Sequence, residues 1–113
     1  MKLHIIFMKV VGITSSFHAG SNSQGLVEEI LAGAKEAGAE VELVRLAEVQ
    51  INACIGCEHC KKEGNKTCFQ KDGMVKIYDE LATADAVVFG LPIYLGRANA
   101  PFLLLIDRRY AMI

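Results

Sequence analysis

Hydrophobic and polar positions alternate along the chain in two distinct periods. Lys9-Val10-Val11-Gly12-Ile13 is a short β-branched run without polar alternation, as in a strand covered on both faces. It ends in a small, polar segment, Thr14-Ser15-Ser16-Phe17-His18-Ala19-Gly20-Ser21-Asn22-Ser23. Leu26, Val27, Ile30, Leu31 and Ala34 then follow helical spacing, with Glu28 and Glu29 expected in the first turns, where the helix dipole favours negative charge. Gly38 is the expected stop. Glu40-Val41-Glu42-Leu43-Val44-Arg45-Leu46 alternates charged and apolar residues and predicts a strand with one wetter face, as at a sheet edge. Helical spacing returns at Met74, Ile77, Tyr78, Leu81 and Ala82, with Asp72 as a cap. Ala86-Val87-Val88-Phe89-Gly90 predicts a third buried strand, and 100–109 the first turns of a helix marked by Phe102, Leu103 and Ile106.

The order β-α-β-loop-α-β-α predicts an α/β doubly wound parallel sheet. Open sheets of this kind usually carry five or six strands. The fold therefore reads as truncated after the third strand and its following helix, with an apolar edge left for another chain or a further segment. No repeat, linker or low-complexity tract divides the 113 residues, so one partial domain, 1–113, is expected.

Composition narrows the function classes. Twelve basic and thirteen acidic residues give a formal net charge of −1, which offers no electrostatic footprint for nucleic acid or an anionic membrane. No apolar run is long enough to span a bilayer, and the start has too short an apolar stretch for a signal peptide. A cytoplasmic protein is the expectation. The four cysteines all fall between 54 and 68. A disulfide scaffold would staple distant segments; thiols this clustered read as metal, cluster or redox ligands.

Three constellations carry candidate chemistry. The turn after the first strand, with Ser15, Ser16, His18, Gly20, Ser21, Asn22 and Ser23, joins short hydroxyl side chains to a helix N-terminus, a cradle for phosphate. It is neither a dinucleotide fingerprint nor a Walker loop. Its plainer reading is a polar loop with Asn22 or Ser23 as the helix cap. The second constellation is Cys54-Ile55-Gly56-Cys57-Glu58-His59-Cys60 with Cys68, a C-x2-C-x2-C-x7-C spacing. Three thiolates at this spacing can hold three corners of a cuboidal cluster, and the fourth cysteine can close on the last iron. Structural zinc usually shows two separated C-x2-C knuckles. The spacing favours a [4Fe–4S] cluster over zinc or a metal-free redox-sensing thiol site. Lys61, Lys62, Lys66 and Lys71 are expected to offset thiolate charge, and His59 reads as a solvated loop residue. The third is Gly90-Leu91-Pro92-Ile93-Tyr94-Leu95-Gly96, at the carboxyl end of a neighbouring strand, where a stiff loop with a flat side chain suits a planar ring. Alone it is a strand-to-helix turn with a packed Tyr. Beside a phosphate turn, it makes flavin mononucleotide (FMN) the economical ligand.

These stretches, with 26–46 and Leu105-Ile106-Asp107-Arg108, run in register from Met8, and the chain resembles the iron–sulfur flavoproteins of the NADPH-dependent FMN reductase-like group. The resemblance implies a flavodoxin-like fold, non-covalent FMN and a [4Fe–4S] cluster. It also implies electron transfer between the two, a dimer or tetramer, and exchange with NAD(P)H or an electron-carrying protein such as a ferredoxin. By resemblance, the phosphate turn maps onto Ser16, His18, Ser21, Asn22 and Ser23. The ring loop maps onto Leu91, Pro92, Ile93, Tyr94 and Gly96, and the cluster ligands onto Cys54, Cys57, Cys60 and Cys68. Ser15-Ser16-Phe17-His18 stands where the family usually has Gly-Ser-Pro-Arg, which puts a His in place of a permanent cation. Family members are longer, and residues 1–7 precede their usual start. No catalytic acid or base is assigned. The alternatives are a non-catalytic flavodoxin-like module with a zinc or redox-sensing cysteine site, and a plain flavin reductase with unused cysteines.

Overall fold

A computed structural model describes residues 7–65 and 67–113. The extension expected at 1–7 thus lies outside the described residues except for Phe7, and so does Lys66. Strand β1 (Lys9–Thr14) is central, flanked in parallel by β2 (Glu40–Arg45) and β3 (Ala86–Gly90), in the order β2-β1-β3. The register pairs Val11 with Glu42 on one side and with Val87 on the other. Helix α1 (Asn22–Glu36) joins β1 to β2, and α2 (Met74–Thr83) leads into β3. After β3 comes a short antiparallel hairpin, β4 (Ile93–Tyr94) and β5 (Arg97–Ala98), then α3 (Ala100–Arg108) and a final 3-10 turn, Arg109–Met112.

The two faces of β1 are built differently. Val11 and Ile13 point into the main core with Val44, Leu46, Ile51, Met74, Ile77 and Leu105. Gly12 faces α1, where a Cβ would lie 2.5 Å from Val27 Cγ1 and 2.8 Å from Leu31 Cδ1. At the end of β3, a Cβ on Gly90 would lie 2.4 Å from Val27 Cγ2 and 2.8 Å from the carbonyl oxygen of Ser23. Two glycines thus let α1 settle directly onto the sheet backbone, with Val27 wedged between strands. The helix seated this way presents its N-terminus at the carboxyl ends of β1 and β3.

Several expectations change. Helix α1 starts at Asn22, capped by Ser21, whose Oγ accepts from the Gln24 N–H at 3.2 Å; neither Asn22 nor Ser23 is the cap. Glu28 and Glu29 therefore lie beyond the first turn, which holds no acidic residue. The buried stripe of α1 is Gln24, Val27 and Leu31, while Leu26 and Ile30 are exposed. Strand β3 is not buried on both faces: it is an edge strand, and Phe89 is 40% exposed. In α3 the buried residues are Leu105 and Arg108, whereas Leu103 and Ile106 face outward. Asp72 does accept from the Met74 N–H at 3.1 Å, capping α2 from just outside it. Among the described residues, no helix is long and apolar enough to cross a membrane.

Candidate functional site

Two neighbouring strand ends form the first part of the site. Beyond the ladder, the Ser15 N–H donates to the Gly90 carbonyl at 3.1 Å, so the turns after β1 and β3 leave the sheet side by side. In the first turn, Ser16 is buried and its Oγ accepts from the His18 N–H at 3.2 Å, while the Ser21 N–H donates to the His18 carbonyl at 3.2 Å. His18 and Asn22 are exposed, and Ser23 is half-buried with its carbonyl against Gly90. Apart from Gln24, whose N–H donates to Ser21 Oγ, the N–H groups of the first turn of α1 lie next to this loop, the arrangement that favours an anion.

The second turn is more ordered than a plain loop. Leu91 and Pro92 are half-buried; Ile93, Tyr94 and Gly96 are exposed and belong to the β4–β5 hairpin. The two residues between its strands, Leu95 and Gly96, have φ of 52° and 77°. A two-residue hairpin turn with both central φ positive matches the strand twist. Gly96 thus serves the turn. Leu95 is a leucine in the left-handed region with its side chain 99% exposed, a strained and unpacked apolar tip.

Asn99, which the sequence patterns did not single out, ties these turns together. It precedes α3 and is fully buried, and its Nδ2 donates to the Ser15 carbonyl at 2.8 Å. The buried Thr14 Oγ1, Ser15 Oγ and Asn99 Oδ1 have no hydrogen-bond partner among the described residues. Unsatisfied buried oxygens cost free energy, and these three belong to residues at the start of the turn after β1 and to the side chain that ties it to α3.

The second part of the site lies at the other end of α3. Cys54, Cys57, Cys60 and Cys68 all line one cavity, together with His59, Phe69, Tyr78, Arg108 and Tyr110. The thiols are free, Cys54 and Cys57 exposed and the other two half-buried. Among the described residues, no three His, Cys, Asp or Glu side chains are gathered closely enough to hold a single metal ion. The enclosed space is small, about 20 Å³, room for about one water. His59 packs edge-on to Phe69, 5.9 Å between centroids, and is less solvated than expected.

Among the described residues, Lys61, Lys62 and Lys71 do not line this cavity. The Lys61 ammonium sits 4.3 Å over the Tyr110 ring and donates to the carbonyls of Tyr110 and Ile113; Lys62 and Lys71 are exposed. The cation at the cavity is Arg108, whose side chain is 1% exposed. Its Nη1 and Nη2 grip Asp72 at 2.7 and 3.0 Å, and Nη1 also donates to the Asn52 carbonyl at 2.9 Å. Burial alone would weaken the Arg108 charge, but the Asp72 carboxylate, and after it the nearby Tyr78 hydroxyl, hold its pKa above the ordinary value. Burial likewise opposes ionisation of Asp72. The guanidinium and the N–H groups of Asn52 and Met74 overcome it and bring the carboxyl down to about 2.

A three-stranded parallel sheet with a phosphate-type turn at its central strand defines a flavodoxin-like fold. Solved structures agree. A flavone reductase superposes at TM-score 0.69 and 29% identity over 90% of this chain and 30% of its own. RosB, solved with an 8-demethyl-8-formylriboflavin 5'-phosphate intermediate, superposes at TM-score 0.74 and 18% identity over 91% of this chain and 42% of its own. Residues 8–111 match the NADPH-dependent FMN reductase family, and the chain belongs to it. It is 39% identical to an iron–sulfur flavoprotein of Methanocaldococcus jannaschii, over 89% of this chain and 51% of that protein. It is 31% identical to one of Methanosarcina thermophila, over 89% of this chain and 52% of that protein. The chain spans about half the length of the curated relatives it matches.

Proposed function

We propose that this chain carries the FMN site and the cluster site of an electron-transfer flavoprotein, a flavin-dependent oxidoreductase. The observation that carries the reading is that all four cysteines, Cys54, Cys57, Cys60 and Cys68, line a single cavity. Four thiolates are the donor set of a [4Fe–4S] cluster. The cavity is tight; Cys54 and Cys57 are exposed on the span between the hydrogen-bonded residues Ala53 and Glu58, and that span is where room for a cluster would be made. For FMN, the turn at Ser16, His18, Ser21, Asn22 and Ser23 would take the phosphate with the N–H groups of α1. Leu91, Pro92, Ile93, Tyr94 and Gly96 would take the ring.

A bound flavin accepts two electrons and releases them singly, and a cluster carries one at a time; the protein positions the two and sets their potentials. Helix α3 connects them. Asn99, at its start, holds the flavin turn, and Arg108, at its end, lies in the cluster cavity. Nine residues at the helical rise put these two side chains' backbone positions about 13 Å apart. NAD(P)H or a ferredoxin-like carrier is the proposed exchange partner. Phe89 on the edge strand β3, and Leu103 and Ile106 on α3, are exposed and suit cover by a second copy of the chain.

The test is anaerobic preparation with iron, sulfide and flavin counted per chain. Flavin bands with a broad cluster shoulder, four irons and four sulfides support the proposal. A colourless protein with stoichiometric zinc, or flavin without iron, refutes it.

A further inference from the structure

Arg108 has bonding capacity that the fold leaves unused. A guanidinium has five N–H donors in a rigid fork. The end of this fork goes to Asp72 through Nη1 and Nη2, and Nη1 also serves the Asn52 carbonyl. The Nε–H is buried with no partner among the described residues. A buried charged group with an idle donor is costly. The same side chain lines the cavity of the four cysteines. Tyr78 donates to the Arg108 carbonyl at 2.7 Å, fixing the end of α3 against α2.

We propose that Arg108 is a positioning residue of the cysteine site, its free Nε–H edge donating to sulfur in the cavity and its charge, metered by Asp72, setting how easily a cluster bound there is reduced. The inference rests on the cluster reading above. Hydrogen bonds to sulfur and nearby positive charge both stabilise the more negative, reduced form. The Asp72–Arg108 pair is nearly neutral as a unit, so each partner controls the sign of the local field. Removing the cation makes reduction harder, and removing the anion makes it easier.

The experiment uses the full 113-residue chain, reconstituted anaerobically with ferrous iron and sulfide, and follows the reduced fraction by electron paramagnetic resonance against applied potential. Arg108→Gln is expected to lower the reduced fraction several-fold at the wild-type midpoint. Asp72→Asn is expected to raise it, and Arg108→Lys to fall between wild type and Arg108→Gln. Loosened packing alone would not move the two partners in opposite directions. Because Arg108→Gln strands a buried carboxylate, the double variant Asp72→Asn/Arg108→Gln is prepared as well. It keeps the pair neutral and is expected to return toward the wild-type midpoint. Midpoints that do not move, or that move the same way in Asp72→Asn and Arg108→Gln, overturn the inference while the cluster reading stands. Wild-type chain that binds no iron and sulfide overturns both.

Discussion

Replacing Gly90 with Ala tests whether the sheet aims α1 at the proposed flavin site. The new Cβ would stand 2.4 Å from Val27 Cγ2 and 2.8 Å from the Ser23 carbonyl oxygen. Ordinary carbon–oxygen contact needs about 3.4 Å, so the first turn of α1 must retreat by roughly 0.6 Å or β3 must bend. Valine cannot swing aside cheaply, because its χ1 is restricted in a helix, and its other methyl already fills the space above Gly12. Forcing a methyl into such a contact costs about 1–3 kcal/mol. The reduced freedom of the unfolded chain returns about 0.4–1 kcal/mol of that. The expected net loss is about 1–2 kcal/mol, read by urea denaturation of both proteins. The displaced turn also carries the N–H groups proposed for the FMN phosphate, so FMN binding, followed by quenching of its fluorescence, should weaken several-fold. Adding Val27→Ala relieves the methyl clash but leaves the Ser23 carbonyl blocked, so it should not restore FMN affinity. Unchanged stability in Gly90→Ala would refute the packing argument. Lost stability with unchanged affinity would refute the placement of the phosphate.

Other perturbations probe separate parts of the structure. The Asp72 carboxyl is held down to about 2 from an ordinary 3.8, so its stabilisation is fully present above about pH 4 and is lost as pH falls through about 2. Up to about 2 kcal/mol should vanish across that window, and Asp72→Asn should flatten the profile measured by denaturation at each pH. Asn99→Ala leaves the buried Ser15 carbonyl without its 2.8 Å donor. It should cost about 1–3 kcal/mol and weaken FMN binding, seen by melting and fluorescence titration. Leu95→Asn keeps the positive φ of 52° at a fully exposed position with a residue that tolerates it. It should raise stability by about 0.5–1 kcal/mol, and a lower urea midpoint would contradict the strain assigned there.

What the sequence makes legible follows from how far apart the interacting residues lie. Each of the six principal elements carries its own period, so their existence and order can be read locally. The faces are read less well. Leu26 and Ile30 sit in a helical pattern yet stay exposed, because only the stripe of Gln24, Val27 and Leu31 meets the two glycines of the sheet. Strand β3 is apolar enough to be central and is nonetheless an edge, because no described strand lies beyond it. The β4–β5 hairpin is too short to have a period at all.

The cysteines are legible because their spacing is compact, whereas the groups that condition them are not. Proximity in sequence predicts lysines as the cations beside the thiols. Arg108, which lines the cavity, is instead delivered by α3 and fixed by a carboxylate 36 positions away. Asn99 reaches across 84 positions to Ser15. Neither residue has a motif of its own, since each acquires meaning only when α3 is laid across the sheet with one end at each part of the site. The chain's chemistry-bearing residues are therefore written locally, and their tuning is written in the tertiary fold. Exchanges of Cys54, Cys57, Cys60 or Cys68 should abolish a cofactor, exchanges at Asp72 or Arg108 should shift its properties while leaving it bound, and exchange of Asn99 should weaken the FMN site without removing it.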